Sequence, residues 1–550
     1  MNMKKVLSTL LAAAMLCAGL AGCGAASSGS ASDGAPVTAD TAATAAAPSG
    51  AGDTITIGLN SDIVSLDPAF AYDHTTNQVV NQITEGLLTL DSDGVIQNKL
   101  CKSWQAMDPL TYVYDIRDDV KFSDGTPMTM DDVLFSVKRH MDTALASYLA
   151  WFFDNVESIE QTGDWQLTVK LSKPDASWQY AFASTAGHII SKAYCEAHPD
   201  DFGTPTGGIL GTGAYVLDSW TTGSEIVLKA NDNYWAGETP DAKTVDFQVI
   251  EDDTTRITAM VNGQLDLTLD PPTELLSQLE SAGNVQLSEV PAFSVLYMAM
   301  NCQKEPFNDV NVRKAISYAI DKKALYDSML TKEGTLANSS VPFSESLYGA
   351  DAAAWKEFVP TVPECTADLE KAKAAMAASA YPDGFDCTLA VNNNSLRNSI
   401  ALYVQQALKQ IGINVTIETK SGDEMITVQF GSNGRDYDMA IVKWEADYPD
   451  PSGNVYPLYY SANASEGGAN TCNYANPAYD ALIDTELAST DLSERTASME
   501  SALNILAEDC PSVIFYYPVK RLAMNTRVTG FDVNASMIWN FYMKDIKLAS

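Results

Sequence analysis

The sequence predicts an α/β protein of two large lobes with a smaller inserted subdomain. Three observations predict it. The chain has 550 residues, and at roughly 150 residues per domain that is room for three or four domains. Helical spacing at Ile400, Tyr403, Val404, Ala407, Leu408 and Ile411 stops at Gly412, after which Ile413, Val415 and Ile417 alternate. Helix, glycine, strand is the signature of an α/β unit. Short strand-like and helix-like segments fill the rest of the chain without an internal repeat.

Taken in order, Lys4 and Lys5 precede an apolar run over residues 6–20. It is too short and too rich in small residues for a transmembrane span and suits an export signal. The run ends Leu20-Ala21-Gly22-Cys23, which resembles the bacterial lipobox, whose cysteine is lipidated and becomes the first residue after cleavage; the alternative is an ordinary signal peptide with a chance cysteine. Residues 24–52 are almost all Gly, Ala, Ser, Thr, Pro and Asp and read as a flexible tether with a mean reach of roughly 30 Å. Residues 53–60 alternate with Ile55, Ile57 and Leu59 on one face, as do Leu167, Val169, Leu171 and Val245, Phe247, Val249; all three read as strands. Asp309 suits the N-cap of a helix carrying Val312, Ile316, Ala319 and Ile320. Turn clusters fall at 123–127, 204–213, 270–272 and 448–453.

Composition excludes several classes. Lys plus Arg number 34 against 71 Asp plus Glu, a formal charge of −37; loss of residues 1–22 removes two lysines and gives −39. Such a surface does not suit nucleic acid or broad adhesion to anionic lipid. At 46 % hydrophobic and 19 % charged the chain is folded rather than disordered. His74, His140, His188 and His198 form no ligand-spaced pair, which argues against a histidine-rich metal site; no metal or cofactor is expected. Nine cysteines less Cys17 in the signal and Cys23 leave seven, an odd number with no CxxC pair, and no disulfide pairing follows. There is no Gly-x-Ser-x-Gly elbow, His-Glu-x-x-His helix or P-loop. An exported hydrolase stays as a remote rival because Ser-His-Asp triads are not sequence-local.

Five blocks then bear on function. They are Ser65-Leu66-Asp67-Pro68 with Glu85-Gly86-Leu87-Leu88; Ser103-Trp104 with residues 119–127 (DVKFSDGTP); Gly211-Thr212-Gly213-Ala214-Tyr215 with residues 233–237 (NYWAG); Met300-Asn301, Pro306-Phe307 and residues 312–316 (VRKAI); and Tyr437-Asp438-Met439 with residues 444–451 (WEADYPDP). In this order, over residues 54 to about 545, they resemble the extracellular solute-binding proteins of peptide ABC importers, the oligopeptide and dipeptide-binding family (solute-binding protein family 5). Ala214 stands where many relatives have proline.

The resemblance implies a two-lobed periplasmic-binding-protein-like clamshell of the class II type with an additional inserted α/β subdomain. Lobe I would hold 53–98, 205–298 and 520–550, the subdomain 99–204, and lobe II 299–519. The protein would be a monomer and not an enzyme. It would be exported, lipid-anchored at Cys23 to the outer face of the plasma membrane, and would hand its ligand to membrane permease subunits served by a separate ATPase.

A zwitterionic peptide needs a carboxylate for its ammonium and a cation for its carboxylate. Asp447 matches the family aspartate that binds the peptide N-terminus; the alternative is a cap for the turn that follows. Arg397, in the stretch where dipeptide-binding relatives carry an arginine, is the candidate for the carboxylate, against a solvated helix-start arginine. Arg435 is a weaker choice. The resemblance brings Tyr72, Asp73 and His74 to the cleft from lobe I, and Tyr148 to a side-chain pocket, against exposed-loop and packing alternatives. Trp444 and Tyr448 flank Asp447. Tyr516 and Tyr517 read as strand packing, and Asp67-Pro68, Asp124-Gly125 and Asp450 as turn chemistry. Met300-Asn301 could serve a hinge. The expected ligands are di- to oligopeptides. The same fold also takes nickel complexes, haem, glutathione and oligosaccharides.

Overall fold

The structure, a computed structural model, describes residues 52–363, 366–431, 436–531 and 533–549. The export signal, Cys23, the tether up to residue 51, Cys365 and Arg435 lie outside the described residues.

A twelve-stranded mixed sheet runs through both lobes. In one lobe the order is Ile413–Lys420, Phe385–Asn392, Met439–Glu445, Ser294–Met300 and then the long strand Ser512–Asn525; in the other, Ser512–Asn525 continues to Leu267–Leu269, Thr54–Leu59, Thr244–Val249, Glu225–Ala230 and Tyr215–Thr221. The long strand therefore belongs to both. Its first half pairs with Ser294–Met300, Val513 opposite Met298, and its second half with Val285–Pro291, Arg521 opposite Glu289. The passage from Val285–Pro291 into Ser294–Met300 runs beside it, so two adjacent chain segments link the lobes.

Residue pattern explains the burial. In Ser294–Met300, Val295, Tyr297 and Ala299 enter one core while Leu296, Met298 and Met300 enter another. A strand covered on both faces is a continuous apolar run, as this one is. The expected α/β unit is present: Phe385–Asn392 and Ile413–Lys420 pair in parallel around the helix Ser395–Lys409. Asn394 caps that helix by accepting from the Arg397 N–H at 3.1 Å. The helix ends two residues before the predicted Ile411, and the return turn uses Gly412 at φ +82°. A Cβ on nearby Gly384 would meet the Gly412 carbonyl oxygen at 2.0 Å, which only glycine avoids.

The strands read at 53–60 and at 245–249 form as Thr54–Leu59 and Thr244–Val249, paired in parallel with Ile55 opposite Val245 and Ile57 opposite Phe247. Asp309 caps the helix Val310–Ala319 by accepting from the Asn311 N–H at 2.8 Å. The inserted subdomain carries its own antiparallel sheet of Cys101–Asp108, Thr111–Ile116, Gln166–Leu171 and Val156–Gly163. Leu167, Val169 and Leu171 point into its core with Tyr112, Tyr114 and Trp178.

Turn chemistry accounts for the motif aspartates. Asp67 accepts from the Ala69 N–H at 3.0 Å and from both Arg139 nitrogens at 2.9 and 2.6 Å. Asp124 Oδ1 accepts from the Thr126 N–H at 2.8 Å, beside Gly125 at φ +87°. Met300-Asn301 is not at a lobe crossing: Met300 pairs with Met439 at the end of its strand remote from Ser294, and Asn301 donates to the Tyr437 carbonyl at 2.9 Å.

Candidate ligand-binding cleft

The strand Met439–Glu445 runs antiparallel to Ser294–Met300, with Glu445 opposite Ser294. Its carboxyl end therefore stops where the chain passes between lobes, and residues 446–453 project from that edge. Ligands of open α/β sheets bind outside the carboxyl ends of strands. A cavity of about 790 Å³ opens here between the inserted subdomain and the lobe carrying Asp447, and Trp444, Asp447 and Tyr448 line it. That volume suits a small-molecule ligand.

Asp447 is half-buried. Its Oδ1 accepts a hydrogen bond from the Tyr72 hydroxyl at 3.0 Å, and its carbonyl accepts one from Trp539 Nε1 at 2.7 Å. Among the described residues no cation lies within ion-pair distance of its carboxylate. Burial pushes its pKa up to about 6; the Tyr72 hydrogen bond opposes that rise and the Glu445 charge adds to it. The turn that follows is capped by Asp450 instead, whose Oδ1 accepts from the Ser452 N–H at 2.9 Å and its hydroxyl at 2.6 Å. The side chain of Asp447 is therefore free of the capping task that was its alternative.

Glu445, two residues earlier, is fully engaged. Its carboxylate lies 3.1 Å from Lys520 Nζ, 2.8 Å from Lys443 Nζ and 3.6 Å from His74 Nε2. Burial alone would raise its pKa, but His74, Lys443 and Lys520 together hold it well below the usual carboxylate range. Two acids on one strand end thus differ: Glu445 is neutralised by protein cations and Asp447 is not.

The other expected residues fall in several places. Trp444 donates its Nε1–H to the Gly453 carbonyl at 2.9 Å, which turns one ring edge into the loop while the residue still lines the cavity. Tyr448 stacks on Tyr180 with centroids 5.0 Å apart. Asp73 is the N-cap of the helix His74–Ile83, accepting from the Thr76 N–H at 2.9 Å, a structural task. Tyr148 is 54 % exposed, packs edge-on against Phe70 at 5.3 Å, and is not on the cavity wall. Arg397 also stands off this wall. Its guanidinium makes no hydrogen bond or ion pair among the described residues, and burial lowers its pKa while the nearby Tyr516 opposes that shift. Tyr516 and Tyr517 are buried in the two cores on either side of the long strand.

Sequence reading missed Trp539, which is 2 % exposed and reaches Asp447 from 92 positions away. It also missed Asp175, Tyr456, Tyr460 and Asp484 on the cavity wall. No local pattern marks any of them; only the fold brings them together. Among the described residues, no group of three or more His, Cys, Asp or Glu is placed to hold a metal ion, and no helix is long and apolar enough to cross a membrane.

Comparison with known proteins identifies the family. The family model for bacterial extracellular solute-binding proteins, family 5 (middle), matches residues 95–466. The probable D,D-dipeptide-binding periplasmic protein DdpA of Escherichia coli K12 is 28 % identical over 491 residues, covering 88 % of this chain and 92 % of that protein. The glutathione-binding protein GsiB of the same strain is 25 % identical over 497 residues, covering 90 % and 94 %. The structure of HbpA2 from Haemophilus parasuis superposes with a TM-score of 0.79 at 24 % identity, covering 90 % of this chain and 99 % of that one, and shares its two-lobed α/β fold. The chain belongs to the bacterial extracellular solute-binding proteins of family 5, the non-enzymatic substrate receptors of ABC importers.

Proposed function

We propose that the solute is a peptide, captured by its free N-terminus and delivered to the permease subunits of the importer. One observation carries the reading: Asp447 presents a half-buried carboxylate to the cavity, oriented by the Tyr72 hydroxyl, with its backbone carbonyl held by Trp539 and no cation paired to it among the described residues. A ligand ammonium would supply the missing charge. Charge-assisted hydrogen bonds in a partly dry cleft are stronger than those at the surface. Two relatives support it at the level of ligand class, one named for a D,D-dipeptide and one for glutathione, itself a tripeptide. Trp444 and Tyr448 would flank the bound backbone, with Tyr72, Asp73 and His74 on the segment facing them. Arg397 is the first candidate for the ligand carboxylate. In this reading Cys23 carries the lipid that holds the receptor to the membrane, and the receptor works as a monomer.

The test is a thermal-shift screen of the purified protein against di- to hexapeptides, a nickel complex, haem, glutathione and oligosaccharides. A ligand at 100 times its Kd stabilises a protein by about 2.7 kcal/mol. Peptides are expected to shift the melt, and N-acetylated peptides are not. A shift with nickel, haem or sugar alone overturns the peptide reading and leaves the family assignment intact.

A further inference from the structure

The wall of the cavity away from Asp447 has its own chemistry. Tyr456 and Tyr460 stand with ring centroids 5.0 Å apart and planes tilted by 41°. Asp484 Oδ1 accepts from the Tyr460 hydroxyl at 2.8 Å, which leaves the ring more electron-rich. Asp175, from the inserted subdomain, is fixed by the Ser177 N–H at 3.0 Å and the Ser177 hydroxyl at 2.6 Å. Tyr456 senses the charge of both carboxylates, so Asp175 and Asp484 both lie near its ring. All four residues line the cavity. Neither carboxylate has a cation within ion-pair distance among the described residues. Asp447 and Asp154 add two more carboxylates to the wall against the ammonium of Lys173.

Faces of electron-rich rings attract cations, and carboxylates beside them reinforce that attraction. A cleft lined mostly by one sign of charge also concentrates its field on the ligand. A zwitterionic peptide with neutral side chains satisfies Asp447 and leaves Asp175 and Asp484 uncompensated. We propose that Tyr456, Tyr460, Asp175 and Asp484 form a subsite for a cationic side chain, so that the receptor prefers peptides containing lysine or arginine. The proposal rests on the peptide reading above and assigns it a specificity.

The experiment is calorimetric titration of the purified protein at low salt with two sets of tripeptides, one with lysine moved through the three positions of an alanine host and one with norleucine in its place. Norleucine keeps most of the apolar stem and removes the charge. At one position at least, the lysine peptide is expected to bind roughly tenfold tighter, with the ratio falling towards one in Asp484→Asn and in Asp175→Asn and shrinking as salt is raised. Equal affinity at all three positions, tighter binding of norleucine, or a lysine preference untouched by both substitutions overturns the subsite while peptide capture stands. Absence of binding by every peptide overturns both.

Discussion

The Tyr72 hydroxyl donates to Asp447 Oδ1 at 3.0 Å, tying together residues 375 positions apart on facing lobes. A phenol fixes the direction of a carboxylate without cancelling its charge. The same bond works against the burial that raises the Asp447 pKa to about 6. Tyr72→Phe is therefore expected to raise that pKa further and to weaken peptide binding severalfold. The pH below which binding is lost should move upward, because the ammonium needs the ionised carboxylate. Titration calorimetry between pH 5 and 8 checks this; an unmoved pH midpoint contradicts it.

A carboxylate kept for a ligand costs the empty protein stability. Asp447 has an ordinary value of 3.8 and a folded value of about 6. Between the two, the folded state binds more protons than the unfolded state, so stability falls as pH rises through that window. At 1.36 kcal/mol per unit the penalty is at most about 3 kcal/mol. Asp447→Asn is expected to melt higher than wild type at pH 7 and to lose that advantage near pH 4. A lower melting temperature at pH 7 would mean that Asp447 is structural.

Behind the 446–453 loop, Arg495 is buried between Asp450, at 3.0 Å, and Glu486. Burial raises the Glu486 pKa to about 7 although Arg495 pulls it down. Arg495→Met leaves two buried acids facing each other, a change that costs about 3–5 kcal/mol in comparable sites. As the acids become protonated the repulsion fades, so the drop in melting temperature should be larger at pH 8 than at pH 5.5. An equal drop at both values would point to lost packing alone.

Arg397 offers a cation with no protein partner among the described residues. If it holds the ligand carboxylate, Arg397→Gln weakens free-acid peptides by tenfold or more and leaves C-terminally amidated peptides unaffected. Equal affinity of wild type and variant for free-acid peptides removes Arg397 from the site and turns attention to Lys173 on the cavity wall.

Legibility in the sequence followed locality. The helix from Ser395 and the strand from Ile413 were readable because spacing, cap and glycine lie within one stretch. The same holds for Thr54–Leu59 and for the Asp309 cap. The aspartate of the segment 444–451 was readable through its resemblance to a family motif. The residues around it were not: Trp539, Asp175 and Tyr460 carry no mark in their own neighbourhoods and come near Asp447 or its cavity only in the folded chain. Asp73 illustrates the converse, since a polar loop residue beside the cleft is engaged by the helix it caps.

Capture of a peptide ammonium by Asp447 is best tested by a double comparison by calorimetry. A peptide and its N-acetylated form are titrated into wild type and into Asp447→Asn at pH 7.5. Wild type is expected to bind the free-amine peptide at least tenfold tighter than the acetylated one, as for other desolvated charge pairs, and the variant to bind both weakly and alike. A wild type that does not distinguish the two peptides, or a variant that still does, would mean that Asp447 does not hold the ammonium.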